Sequence, residues 1–185
     1  MGVSPARFVR ASLTPDEAAE MATVDRLATD LATHLEASAV PIGAAHVHNA
    51  PSSAIQSIVS ELLRAHLGFQ EERILTHDAG FMTGVRPDFY FRLGPDRGIL
   101  AEVERGGAVA NNHDLKDLWK THIAPDAQHL FLIVPYANWK PDGQPRERPF
   151  QRVRHRLSTF FGDPRREIDV VSLHVFGYGD EAHSG

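Results

Sequence analysis

Cysteine is absent from the 185 residues of this chain. Its absence excludes disulfide bonds, thiolate zinc sites and a cysteine nucleophile. The sequence also lacks an apolar run near the roughly 20 residues that a transmembrane helix requires, and it shows no signal peptide. Internal repeats and the P-loop, GxGxxG and GxSxG motifs are missing as well. We therefore expect a soluble, cytoplasmic protein that does not depend on any of these nucleotide-binding or nucleophilic motifs.

Positive charge is scarce overall but unevenly distributed. The formal net charge is −5, which argues against a protein that coats nucleic acid by bulk electrostatics. Residues 14–36 carry six acidic residues and one basic residue, whereas residues 140–156 carry six basic and two acidic residues. The basic segment is suited to following phosphates. A solvated surface is the alternative interpretation of the same pattern.

The segment 86–120 concentrates the residues that can carry chemistry. An acid, Asp88, opens an apolar strand predicted over residues 88–93, and a short turn leads to a second strand that ends in Glu102 and Glu104. Alternate residues of a strand share a face, so the two glutamates project together. A hairpin makes the strands antiparallel neighbours and brings Asp88 close to Glu102. Three converging carboxylates suit a hard divalent cation such as Mg²⁺.

These residues resemble the PD-(D/E)XK nuclease superfamily. Pro87 and Asp88 resemble the PD of its motif, and Glu102-Val103-Glu104 resembles (D/E)XK with the same intervening hairpin. The resemblance extends over residues 53–176. One position departs from the pattern, because Glu104 stands where the family usually has lysine. A minority of restriction enzymes carry the same E-x-E arrangement.

The resemblance implies a restriction endonuclease-like α/β sandwich, in which helices flank a mixed central sheet. It implies a metal-dependent nuclease that hydrolyses phosphodiester bonds, with DNA preferred over RNA as the partner. Asp88, Glu102 and the Val103 carbonyl would bind Mg²⁺ or Mn²⁺, and Glu104 would act as general base or hold a second ion. The alternative is a catalytically degenerate nuclease fold that binds nucleic acid or serves in an assembly.

The lysine that the motif lacks has two candidate replacements on the helix that follows. In some members of the family this lysine has migrated to that helix, and Lys116 and Lys120 lie one turn apart there. We prefer Lys120, so the predicted catalytic set is Asp88, Glu102, Glu104 and Lys120. Four further residues are expected to contact nucleic acid: Arg105, Lys116, Arg152 and Arg154.

The pattern along the chain predicts a single domain over residues 1–185, with a helical extension at 14–37 and a nuclease-like core at 53–176. Thr14, Pro15 and Glu17 form a helix start with a capping box. The apolar seam of that helix packs on its own domain or on a second copy, so a homodimer is left open. The core elements are predicted as a helix at 53–67, strands at 73–76, 88–93 and 99–104, a helix after 111, a strand at 129–134, a helix at 150–161 and a strand at 168–176.

Three further expectations concern the segments between these elements. Residues 38–53 and 135–149 read as connections, rich in proline and glycine. Leu115, Leu118, Trp119 and Ile123 are expected to form the buried stripe of the helix after residue 111. His46 and His48 have the spacing of zinc ligands on a strand, but no third ligand is evident, so we favour a structural role for them.

Overall fold

Helices and strands alternate along the chain. The structure is a computed structural model, which describes residues 5–47, 52–71, 86–106, 108–166 and 168–180. A π-helical turn, Leu62–His66, continues the third helix. The elements are β1 (Ala6–Val9), α1 (Pro15–Ala37), α2 (Ala39–Ala45), α3 (Ser52–Glu61), β2 (Gln70–Glu71), β3 (Phe89–Gly94), β4 (Arg97–Val103), α4 (His113–Ile123), β5 (His129–Pro135), β6 (Asn138–Trp139), β7 (Pro145–Glu147), α5 (Pro149–Ser158) and β8 (Ser172–Tyr178).

Six of the strands form one mixed sheet in the order β1-β8-β5-β4-β3-β2. The neighbours β4, β5 and β8 run parallel, and the other pairs are antiparallel. The apolar run at 129–134 is β5, which is buried along its whole length at the centre of the sheet, as predicted. β3 and β4 form the predicted hairpin, with Phe89 opposite Ala101. This hairpin brings residue 88 and residue 102 to the same end of the sheet.

Helices cover both faces of the sheet, and the side chains of β4 show how the faces divide. Ile99, Ala101 and Val103 join a core cluster with α1, α2 and α3. Leu100 faces the opposite side, in a second cluster with α4 and α5. Alternation therefore directs Glu102 toward the layer of α4. The expected α/β architecture with a mixed sheet between helices is confirmed.

α1 begins and packs as its sequence predicts. Thr14 accepts a hydrogen bond from the Glu17 backbone, and the Glu17 carboxylate accepts one from the Thr14 backbone, which completes the capping box. The apolar seam is buried against the protein's own sheet, where Val24 and Leu31 are fully inaccessible. The seam is therefore satisfied within one chain, and a homodimer stays a prediction without support from this face.

The helix predicted at 53–67 is present as α3 and its π-helical turn. Ile55, Val59 and Leu63 are fully buried, and Glu61 is exposed, as expected. Gly68 follows with a positive φ of 77°, the backbone conformation in which glycine commonly ends a helix. The strand predicted at 73–76 and the glycines that follow it lie outside the described residues.

Several element assignments from the sequence were wrong. Residues 39–45 form α2 although they include Pro41 and Gly43, because Pro41 lies in the first turn, where its missing N–H costs nothing. The segment predicted as a loop at 135–149 contains the antiparallel pair β6 and β7. Strand β1 was not predicted, and β8 begins at residue 172 rather than 168 and ends at residue 178 rather than 176.

The buried stripe of α4 also differs from the prediction. Leu118 is buried, but Trp119 is 58% exposed. Leu115 and Ile123 are partly buried against the second core cluster, as predicted. Asp114, Asp117 and Thr121 are buried as well, where Arg156, Lys120 and a backbone carbonyl contact them. Polar core residues of this kind escape a hydrophobicity pattern. Within the described ranges, none of the helices is long and apolar enough to span a bilayer.

Candidate active site

A polar cleft of about 270 Å³ opens where β4 ends and β3 begins. The hairpin supplies its acids, α4 supplies one wall, and α3 supplies Ile55 and Gln56. Other residues around it are Asp88, Glu102, Val103, Glu104, Arg105, Gly106, His113 and Lys120. The structure thus gathers all four predicted catalytic residues, Asp88, Glu102, Glu104 and Lys120, around one opening.

The carboxylates of Asp88 and Glu102 each accept a backbone hydrogen bond from the opposite strand of the hairpin. The Asp88 N–H donates to Glu102 Oε2 at 3.3 Å, and the Val103 N–H donates to Asp88 Oδ2 at 3.0 Å. These two hydrogen bonds hold both carboxylates at the same end of the sheet. Glu102 is only 3% exposed, so its carboxylate is largely removed from bulk water.

Lys120 reaches Glu102 from α4. Its Nζ lies 2.8 Å from Glu102 Oε1 and 3.0 Å from Asp117 Oδ1. Asp117, one turn before Lys120, is buried, and its Oδ2 has no hydrogen-bond partner among the described residues. The ammonium therefore bridges two buried carboxylates. Of the two candidate lysines, the structure brings Lys120 to the acids, whereas Lys116 is exposed and does not line the cleft.

The three bridged groups shift one another's protonation. Burial raises the pKa of Glu102, and repulsion from Asp117 adds to this effect while Lys120 opposes it. Burial likewise raises the pKa of Asp117 against the attraction of Lys120. Burial by itself would lower the pKa of Lys120, but Glu102 and Asp117 outweigh it, so that pKa is raised and the ammonium stays charged. Two buried carboxylates share one ammonium, so the centre resists the ionisation of both acids at once.

Glu104 lines the same cleft but binds a different partner. Its Oε2 is 2.9 Å from Nδ1 of His113, the first residue of α4. Burial raises the pKa of Glu104, and the hydrogen bond with His113 opposes that shift. The expected single cluster of three carboxylates is therefore not formed, since Glu104 is directed to His113 and Glu102 to Lys120. In the part of the chain that the structure describes, no three acidic or histidine side chains are grouped closely enough to hold a metal ion.

The predicted phosphate contacts are divided between the cleft and the outer surface. Arg105 lines the cleft, where its Nη2 donates to the Val47 carbonyl at 3.0 Å. Arg152 and Arg154 are exposed on α5 and, like Lys116, do not line the cleft. Contact of these four residues with nucleic acid stays a prediction, because the spacing of charges along a sequence does not specify which helix face meets the sheet end.

The histidine pair considered for zinc is not supported. His46 follows α2 rather than lying on a strand, and its buried ring pairs through Nε2 with the Ala137 carbonyl at 2.8 Å. His48 lies outside the described residues. The hydrogen bond to Ala137 is consistent with the structural role favoured for His46, which stays a prediction for the pair.

A second series of hydrogen-bonded titratable side chains lies on the other face of the sheet, under α1. His129 contacts Ser172 Oγ at 2.8 Å through Nδ1 and Glu20 at 3.0 Å through Nε2. This order of groups resembles that of a serine hydrolase relay, but both His129 and Ser172 are fully inaccessible. No substrate can reach the serine, so these hydrogen-bonded side chains form a structural link between α1 and the sheet.

No protein-family model matches the sequence. A comparison with curated proteins finds no match either. The chemistry of the cleft is consequently argued from its own residues.

His113 and Asp117 are the site residues that the sequence-based analysis missed. Together with Lys120 they occupy positions i, i+4 and i+7 of α4, a spacing that places side chains on one side of a helix. The signal was present in the sequence as three ionisable residues along one stripe. The apolar residues of the same helix dominate the pattern and obscure this stripe.

Proposed function

We propose that the protein is a metal-dependent nuclease that hydrolyses phosphodiester bonds, with DNA as its substrate, on a restriction endonuclease-like core. The observation that carries the proposal is the 2.8 Å contact between Lys120 and Glu102 beside Asp88. It places an ammonium next to two hairpin carboxylates, although the third position of the sequence motif is an acid. Two acids and a lysine are the combination that the resemblance to the PD-(D/E)XK nuclease superfamily implies.

The donor set suits Mg²⁺ or Mn²⁺. Asp88 and Glu102 offer carboxylate oxygens, the Val103 carbonyl offers a third, and hard oxygen ligands are the preference of these ions. Burial and repulsion from Asp117 raise the pKa of Glu102, and a bound cation would favour its ionised form. A bound ion would lower the pKa of a coordinated water and neutralise charge on the scissile phosphate.

The chain's own residues have separate roles in this proposal. Glu104 accepts a proton from the attacking water as the new oxygen–phosphorus bond forms and the bond to the leaving oxygen breaks. Lys120 stabilises negative charge on the phosphate, and Asp117 retains the ammonium when Glu102 engages the cation. Arg105 contacts a neighbouring phosphate and positions the strand.

One observation favours a second candidate, the catalytically degenerate nuclease fold. The Lys120 ammonium already neutralises part of the Glu102 charge, as it would in a site that has lost its metal. In that case the protein binds nucleic acid or an assembly partner without cleaving it.

The test is incubation with plasmid, linear duplex and single-stranded DNA in the presence of Mg²⁺, Mn²⁺ or EDTA. We expect metal-dependent nicking that Glu102→Gln and Lys120→Ala abolish. Glu36→Gln is the matched control, because it neutralises an exposed acid of α1 away from the cleft and should leave the rate unchanged. Binding of DNA without cleavage under every metal would support the second candidate, and neither binding nor cleavage would contradict both.

A further inference from the structure

The pair formed by Glu104 and His113 has a rigid support on both sides. The Glu104 N–H donates to the Ile133 carbonyl at 2.9 Å, and the Glu104 carbonyl accepts from the Tyr178 hydroxyl at 3.0 Å. The backbone of Glu104 is thereby fixed at both of its polar groups. Only the side-chain torsions of Glu104 retain freedom, and a long acidic side chain has much rotamer entropy to lose.

His113 is fixed by its two neighbours in sequence. Arg156 of α5 donates to Asn112 Oδ1 at 3.0 Å and forms a two-armed ion pair with the buried carboxylate of Asp114. Asn112 has a positive φ of 55°, and the Asp114 N–H donates to the Ala108 carbonyl at 3.2 Å. One guanidinium therefore anchors the residues before and after His113, so the imidazole projects from a backbone that is held in place.

The role of His113 depends on which atom donates in its hydrogen bond with Glu104. Nδ1 binds Oε2 of Glu104 at 2.9 Å, and Glu104 Oε1 has no hydrogen-bond partner among the described residues. An imidazole that holds one carboxylate oxygen fixes the orientation of the other. Both side chains line the cleft with Asp88, Glu102 and Lys120.

We propose that His113 is a positioning residue of this site: it donates Nδ1–H to Glu104 Oε2 and thereby aims Oε1 at the attacking water. The inference rests on the proposed function, since it assigns Glu104 its geometry as proton acceptor. It also explains how an E-x-E sequence is accommodated, because α4 supplies one partner to each acid, Lys120 to Glu102 and His113 to Glu104.

The first test is a double-mutant cycle in the cleavage assay. His113→Ala should slow cleavage about 10²-fold, the cost expected when a reacting group is misplaced by about 1 Å. His113→Asn should recover most of that loss, because its amide nitrogen replaces Nδ1, whereas His113→Gln places its nitrogen farther out and should not. Adding His113→Ala to Glu104→Ala should cost nothing more. His155→Ala, which removes an exposed histidine of α5, is the matched control and should leave the rate unchanged.

The second test does not require activity. Nitrogen-15 NMR of the metal-free protein should show the His113 imidazole donating through Nδ1, and Glu104→Ala should remove that signature while the His155 signals stay unchanged. Additive rate losses in the cycle, equal behaviour of the Asn and Gln variants, or an Nδ1 signature unaffected by Glu104→Ala would overturn the inference. If wild type cleaves no substrate but the NMR signature is present, the proposed function fails and the hydrogen bond stands without a catalytic role.

Discussion

Lys120 shows how a single side chain influences the protonation of two buried acids. Its ammonium bridges the buried carboxylates of Glu102 and Asp117. One positive charge cannot balance two negative charges if both carboxylates are ionised. Burial raises the pKa of both acids, repulsion from Asp117 adds to the shift of Glu102, and repulsion from Glu104 and Asp88 adds to that of Asp117. A group whose folded pKa lies above its unfolded value destabilises the fold when it ionises.

Glu102→Gln should therefore stabilise the metal-free protein at pH 7. The unfolded glutamate loses its proton near its ordinary pKa, whereas the buried one resists ionisation, so the penalty grows as pH rises above about 4.5. We expect the free energy of unfolding to increase by about 1 kcal/mol in urea denaturation at pH 7, with little change at pH 4. Glu61→Gln, at an exposed position of α3, should stay within about 0.5 kcal/mol of wild type.

Glu102→Gln also distinguishes an effect on the stability of the fold from an effect on metal binding. Mg²⁺ should raise the melting temperature of wild type by mass action and leave that of Glu102→Gln unchanged. A variant that is destabilised without metal, or stabilised by Mg²⁺ as much as wild type, would contradict the proposed role of Glu102.

At the scale of elements, α4 is held to α5 by one ion pair that also supports the cleft. Asp114 is fully buried and Arg156 is its partner. Arg156→Ala should reduce the free energy of unfolding by about 3–5 kcal/mol, because it leaves a buried carboxylate without its counter-charge. Arg154→Ala removes an exposed arginine two residues away and should change stability by less than about 0.5 kcal/mol. Equal effects of the two variants in thermal unfolding would rule out this account of the helix pair.

The packing of β8 depends on a glycine. A Cβ at Gly177 would overlap the ring of Tyr136, and overpacking of this kind typically costs 1–3 kcal/mol. Gly177→Ala should lower the melting temperature accordingly. Gly43→Ala is the control, since nothing lies within 4 Å of a Cβ there and alanine favours the helix by about 0.5–1 kcal/mol. Scanning calorimetry of both variants should give shifts of opposite sign.

The elements that the sequence predicts well are those with a strong periodic or capping signal. The capping box at Thr14 located α1, and the uninterrupted apolar run located β5. The hairpin placed Asp88 beside Glu102 because strand alternation and turn geometry are local rules. β1 was missed because four residues at a sheet edge carry little pattern, and α2 was missed because proline in a first turn resembles a loop.

Contacts between distant elements were harder to predict. Trp119 was expected in the core and is exposed, while Asp117 is buried because Lys120 neutralises it. His113 meets Glu104 only because α5 fixes the start of α4 through Arg156. Such contacts depend on how two helices pack on the sheet, which the spacing of residues within either helix does not determine.

At the scale of the whole molecule, polar groups under α1 should make stability dependent on pH. Burial alone would raise the pKa of Glu20, but hydrogen bonds from His129 and Arg97 lower it to about 2. Burial lowers the pKa of His174 to about 4, although Asp25 opposes the shift. The unfolded chain thus binds more protons than the folded chain in both cases.

The sign of the effect follows from these two shifts. The contribution of His174 to stability should fall as pH drops below 6.5, the ordinary value for histidine, and that of Glu20 should fall below 4.5, the ordinary value for glutamate. The raised pKa values of Glu102 and Asp117 have the opposite effect on the total stability in this range. Each group that takes up one extra proton on unfolding lowers the free energy of unfolding by about 1.4 kcal/mol per pH unit. Glu20→Gln should lower stability at pH 7 and flatten the curve between pH 4.5 and 2. Urea denaturation of wild type, Glu20→Gln and His174→Gln across pH 2–8 isolates each contribution as a difference between two curves. A difference between wild type and His174→Gln that stays constant from pH 7 to 4 would contradict the assignment for His174.

The pairing of β1 with β8 has a consequence for synthesis. Ala6 lies opposite Val175, and β8 separates β1 from β5. On a translating ribosome, β1 emerges early but has no neighbour until residues 172–178 have followed. During that interval the nascent chain exposes an unpaired strand, and closing so long a loop carries an entropic cost.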